Sequence, residues 1–181
     1  MRWMKYIIGA AIIIPVVVVG SWSVTETIVH ETGDAEFCST CHAMRPMVAA
    51  YREDVHGGAG DQGIRAACTD CHVPHDNPLN LVTTKMRLGA HSLWAQMTYD
   101  ISSIDWEAKR EERERLVFDS GCLQCHSDLE RASEGDSSRF VAHRPYFQRQ
   151  TGKKCVTCHE RVGHRNLSAH LDNYFADGDS E

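Results

Sequence analysis

Cys38-Ser-Thr-Cys-His42, CSTCH, is the first of four pentads on which the fold depends. The others are CTDCH at 68–72, CLQCH at 122–126 and CVTCH at 155–159, and together they use all 8 cysteines of the 181-residue chain. Random placement of 8 Cys and 11 His would give about 0.02 such pentads at this length, so four of them mark the attachment motif of c-type haem. Two thiols add to the vinyl groups of one porphyrin, and the adjacent histidine is carried to its iron. Disulfides or paired C-x-x-C zinc sites would also use the cysteines. Neither requires a histidine after every second cysteine. The expected cofactors are four covalent haem c groups. Cys38 and Cys41, Cys68 and Cys71, Cys122 and Cys125, and Cys155 and Cys158 hold them, with His72, His126 and His159 as iron ligands. The first pentad runs on to Met44, so His42 and Met44 compete for one iron.

Residues 7–24, IIGAAIIIPVVVVGSWSV, carry no charge, about the shortest run that crosses a bilayer core as a helix. Arg2 and Lys5 precede it and Glu26 and Glu31 follow, which places the N-terminus in the cytoplasm. The expected organisation is a cytoplasmic end at 1–5, a single inner-membrane helix at 6–25 and a periplasmic haem domain at 26–181. A cleaved signal peptide is the competing reading, with Ser21-Trp-Ser23 as a small-x-small site.

The rest of the chain is poor in apolar runs, and strand signals are weak. The expected class is an all-α, haem-packed multihaem cytochrome c domain, with porphyrins in place of a side-chain core and little folded structure without them. HGGAGDQG at 56–63 reads as a loop. Leu79, Val82, Met86, Ala90, Leu93 and Met97 recur at steps of three or four, an apolar stripe on one helix. Trp94, Tyr99 and Lys85 on that segment suit a membrane interface, while packing on a haem or on the anchor explains the stripe equally well. From Asp105, DWEAKREERERLVF predicts a second helix with Glu111 paired to Arg115, after a break at Ser102 and Ser103.

Four irons need ligands on their second sides. Outside the pentads stand His30, His56, His75, His91, His143, His164 and His170. A net charge of -6 favours a basic patch on a soluble redox partner and gives no footprint for nucleic acid.

These features resemble the NapC/NirT family of membrane-anchored tetrahaem quinol dehydrogenases over nearly the whole chain. The likeness rests on the anchor, FCSTCHAM, DVHGG, CTDCHVPH, VTTKMRLGAH, VAHRPYF and KKCVTCHERVGH, in that order. The methionine after the first pentad is more like the small subunit of cytochrome c nitrite reductase than the partner of periplasmic nitrate reductase. The resemblance implies distal ligands at His56, His75, His143 and His164, with His30 and His170 solvated. It implies that Met44 ligates the first iron and displaces His42. It also implies a menaquinol or ubiquinol site beside the first haem, near the bilayer, with a lysine at Lys85. The acid that the family places two turns on is missing, since positions 91 and 92 are His and Ser, and His91 is the replacement base. Electrons would then pass to a periplasmic reductase. Reversed flow from a periplasmic oxidase to quinone, or a tethered shuttle without a quinol site, are the alternatives.

Overall fold

The computed structural model describes residues 2–61 and 63–178. Met1, residue 62 of the Gly-rich loop and residues 179–181 lie outside the described residues. Everything regular among them is helical. The anchor is α1 (Arg2–Glu31), which continues through Pro15 and runs past the uncharged stretch at both ends. Then come α2 (Ala35–Cys38), α3 (Arg45–Arg52), α4 (Cys68–His72), α5 (Pro78–Thr98), α6 (Trp106–Glu111), α7 (Arg113–Leu116) and α8 (Asp119–Cys125). The chain closes with α9 (Leu129–Ser133), α10 (Ser137–Phe147), α11 (Cys155–Cys158) and α12 (Leu167–Gly178).

Local signals start and stop these helices. Asn77 caps α5, its side chain accepting the Asn80 N–H at 2.8 Å, and Pro78 fills the first helical position. Asp105 caps α6 and Asp136 caps α10 in the same way. Between α5 and α6 the expected break is a 3-10 turn at Ile101–Ser103, held by Asp100.

The charged helix expected from Asp105 is instead two helices, parted at Glu112 (φ -84, ψ 11). The cause is tertiary. Arg113, the first residue past the break, donates to Val156 O at 3.1 Å and to Glu160 at 2.9 Å, which ties α7 to the fourth pentad. The expected Glu111–Arg115 pair is replaced accordingly: Arg115 bonds Glu112, and Glu111 sits 3.6 Å from Arg113.

Side chains build only a small core. The buried apolar residues are Ala35, Ala43, Val48, Ala50, Val73, Val156, Leu167 and Leu171. Ala50, Leu167 and Leu171 join α3 to α12, with Met47, Trp106 and Phe175 packed around them. Such a core is too small for a domain of this length and leaves the space between elements to porphyrins.

The pentads, by contrast, lie against one another in chain order. Thr69 N–H donates to Gly33 O at 3.3 Å, Phe118 N–H to Cys71 O at 3.0 Å, and Cys155 N–H to Asp119 Oδ1 at 3.0 Å. Tyr146 of α10 donates to the other oxygen of Asp119 at 2.8 Å. The second and third pentads touch so closely that a Cβ on Gly121 would stand 1.7 Å from Asp70 O. Gly121→Val is therefore expected to drive α4 and α8 apart at a cost of about 1–3 kcal/mol or more. A melt of the holoprotein would show this as a lowered midpoint, and an unchanged midpoint would refute the close approach.

Candidate haem centres

Trans imidazoles on one metal, with bonds of about 2.0–2.1 Å and ring nitrogens about 1.1 Å from their centroids, hold those centroids roughly 6.2–6.4 Å apart. Three histidine pairs have this spacing. His72 and His164 are 6.1 Å apart, His56 and His126 6.3 Å, and His143 and His159 6.2 Å, the last pair only 14° from parallel. Each pair contains one pentad histidine and one from elsewhere in the chain.

The hydrogen bonds suit iron between the rings. His72 Nδ1–H donates to Leu116 O at 2.9 Å, His164 Nδ1–H to Met47 O at 3.1 Å, His143 Nδ1–H to Arg139 O at 2.8 Å and His56 Nδ1–H to Asp54 Oδ1 at 2.9 Å. With Nδ1 carrying the proton, Nε2 keeps the lone pair that a metal needs. Burial lowers the pKa of His72 and takes His164 down to about 4, so both rings are neutral at ordinary pH, the form that can bind a metal. Asp54 is itself buried and also accepts the His56 backbone N–H at 2.9 Å. Sequence reasoning passed over Asp54, although its position two residues before His56 was a signal. The carbonyls of Leu116 and Met47 left none.

The fourth expected distal ligand is placed differently. His75 turns Nε2 to Thr69 O at 3.1 Å and takes Ser120 Oγ on its backbone N–H at 2.9 Å. Its ring stacks on no pentad histidine among the described residues. The first pentad is likewise distinct. His42 is exposed and meets no second imidazole among the described residues, whereas Met44 is half-buried at the end of the 3-10 turn His42–Met44. His170, expected to be solvated, instead places Nε2 3.2 Å from Glu53, where α12 packs on α3. His30 is exposed, as expected.

No disulfide joins the cysteines, so none competes with haem for them. Cys68 lies beside Cys38, and Cys155 beside Cys122, and each neighbour takes the first thiol's pKa down to about 7. Sulfurs that would carry neighbouring porphyrins thus lie side by side. No three of His, Cys, Asp and Glu converge as a zinc site would require among the described residues.

Lys85 extends from α5 to Val29 O in the last turns of α1. Its partial burial there lowers the ammonium pKa, against the opposing effects of Cys38 and Asp34. His91, on the same helix, is exposed with its ring 6.1 Å from Trp94, and no hydrogen bond links it to Lys85.

A chain whose core is left to porphyrins and whose first helix is too apolar for water is a membrane-anchored multihaem cytochrome c. Residues 2–169 match the NapC/NirT cytochrome c family, N-terminal region, and the chain belongs to that family. Its four pentads each carry a covalent haem c. The chain is 29% identical over 175 residues to the tetraheme c-type cytochrome CymA of Shewanella oneidensis, covering 88% of this chain and 91% of the relative. It is 29% identical over 170 residues to the denitrification system component NirT of Stutzerimonas stutzeri, covering 88% and 83%. Against the cytochrome c-type protein TorY of Escherichia coli O157:H7 and of Haemophilus influenzae it is 29% identical but spans about half of their length, 45% and 48%. The fold is similar to a chain in the crystal structure of the cytochrome c nitrite reductase NrfHA complex bound to the HQNO inhibitor. That match has a TM-score of 0.53 and 20% identity, over 83% of this chain and 87% of that one.

Proposed function

We propose that the protein oxidises quinol at the periplasmic surface of the inner membrane and delivers the electrons to a periplasmic reductase, in the manner of the small subunit of cytochrome c nitrite reductase. In this reading α1 enters from the cytoplasm and the pentads lie outside. When bound, haem c supplies one-electron redox chemistry at iron. His72 with His164, His126 with His56 and His159 with His143 hold three of the irons, and Met44 serves the first while His42 faces water.

The observation that carries the reading is the position of Lys85, half-buried between the end of α1 and the first pentad. A head group arriving from the bilayer meets this ammonium before any other charged side chain of α5. Lys85 donates a hydrogen bond to the quinol oxygen and stabilises the anion left as a proton departs. His91, six residues on and about 120° round the helix, faces solvent and takes the proton away. The partner docks on the periplasmic side of the haem domain, remote from α1.

A menaquinol analogue added to the detergent-solubilised holoprotein tests this. Lys85→Met is expected to raise the quinol KM and slow haem reduction by at least about tenfold, one lost charge-assisted hydrogen bond. His91→Ala is expected to lower the rate. Full reduction by dithionite confirms intact haems in both. Unchanged quinol-dependent rates in both variants would leave the tethered shuttle as the better reading.

A further inference from the structure

The structure places the outward apolar face of α5 against the phospholipid surface, and we propose that α5 is a second membrane contact, lying in the headgroup layer beside α1. Three sides of α5 can be told apart. Leu81, Lys85 and Leu88 are partly covered by the rest of the chain. About 140° round the helix lies the stripe read from sequence, in which Val82 is partly covered and Ala90 exposed, while Leu79, Met86, Leu93 and Met97 are bare, at 72%, 69%, 64% and 79% exposure. The remaining side carries Asn80, Arg87 and His91. Of the packings expected for the stripe, that on the anchor is not what the chain adopts: the covered side meets α1 through Lys85, and the bare positions are left for a haem or for something outside the chain.

Depth identifies that something as lipid. The uncharged run of α1 ends at Thr25, and Val29, whose carbonyl takes Lys85, lies about 6 Å further along the axis. One headgroup layer is about 5–7 Å thick. The midpoint of α5 is thus pinned at the level of the headgroups of whatever bilayer holds α1. Over its 21 residues α5 has no Asp or Glu, in a chain of net charge -6. Trp94 and Tyr99, edge to face at 5.2 Å and both exposed, stand at its C-terminal end, where amphipathic rings suit the interface. With Lys85, Arg87 and His91 along it, α5 is too polar to span and is suited to lie on the surface. The outcome is a platform that fixes the tilt of the haem domain and sets the first pentad at a constant height above the lipid.

The test uses the full-length holoprotein in vesicles of phosphatidylethanolamine and phosphatidylglycerol. A benzophenone amino acid is placed singly at Met86, Leu93 or Met97, at Asn80 on the polar side of α5, at the exposed Val141 of α10 and, as a lipid-facing control, at Val17 of α1. After irradiation, intact mass is expected to show phospholipid adducts at 86, 93 and 97, at yields near that at 17, with at least tenfold less at 80 and 141. Capture of a second copy of the chain at 86, 93 or 97 would overturn the proposal in favour of a self-interface. Equal, low yields at all α5 positions, with 17 still labelled, would overturn it outright. Failure at 17 as well would count against α1 as the anchor on which the proposal rests.

Discussion

His164→Ala is expected to convert one of three low-spin irons to high spin and to open that iron to carbon monoxide. His164 faces the pentad histidine His72 at 6.1 Å, and its Nδ1–H is spent on Met47 O. Removing it empties the second face of the iron and leaves the Met47 carbonyl without a partner, a further penalty of about 1–3 kcal/mol. His56→Ala and His143→Ala are expected to do the same at the third and fourth irons. His75→Ala is expected to leave all three low-spin signals in place, because His75 spends Nε2 on a carbonyl instead. Electron paramagnetic resonance of the oxidised holoprotein, variant by variant, reads this directly. The wild type should show three bis-imidazole signals and one iron apart from them, the first. Loss of a low-spin signal in His75→Ala but not in His164→Ala would reverse the assignment.

Withholding haem should have an effect of comparable size on the fold. A chain with Ala for Cys in all four pentads is expected to keep α1 in detergent and to lose most of its remaining helix, seen as a fall in far-UV ellipticity and rapid digestion after residue 31. Its side-chain core is the α3–α12 contact around Ala50, Leu167 and Leu171 and a few isolated valines and alanines. That burial cannot offset the entropy of ordering so long a chain. The histidine pairs also join distant segments: His72 meets a residue 92 positions later, and His126 one 70 positions earlier. Without a metal between them, three pairs of imidazole rings have little to hold them together. A protease-resistant haem-free chain would show that side chains suffice.

The sequence was legible wherever the chemistry was contiguous. Each pentad is complete within five residues, and each helix cap within four, so CTDCH and the Asn77–Pro78 start of α5 could be read without knowing what lay nearby. Where a role depended on a distant partner, reading stopped. DWEAKREERERLVF has helical composition throughout, and only the proximity of Val156 and Glu160 to Arg113 parts it at Glu112. His75, three residues past a pentad, looked as good a ligand as His164 until the path of the chain set one against His72 and turned the other to Thr69. The stripe on α5 was visible from its period, but whether it faced the chain or away from it was not.

What the sequence by itself determined is the number of haems, the sulfurs that hold them and the helix that anchors the chain. Covalent attachment and membrane insertion are properties of unbroken stretches of residues. Only the tertiary structure decided which imidazole faces which pentad, that His42 meets none among the described residues, and which side of α5 is bare. Those outcomes depend on which atoms far apart in sequence come within a few ångströms, and an axial ligand is chosen by that reach.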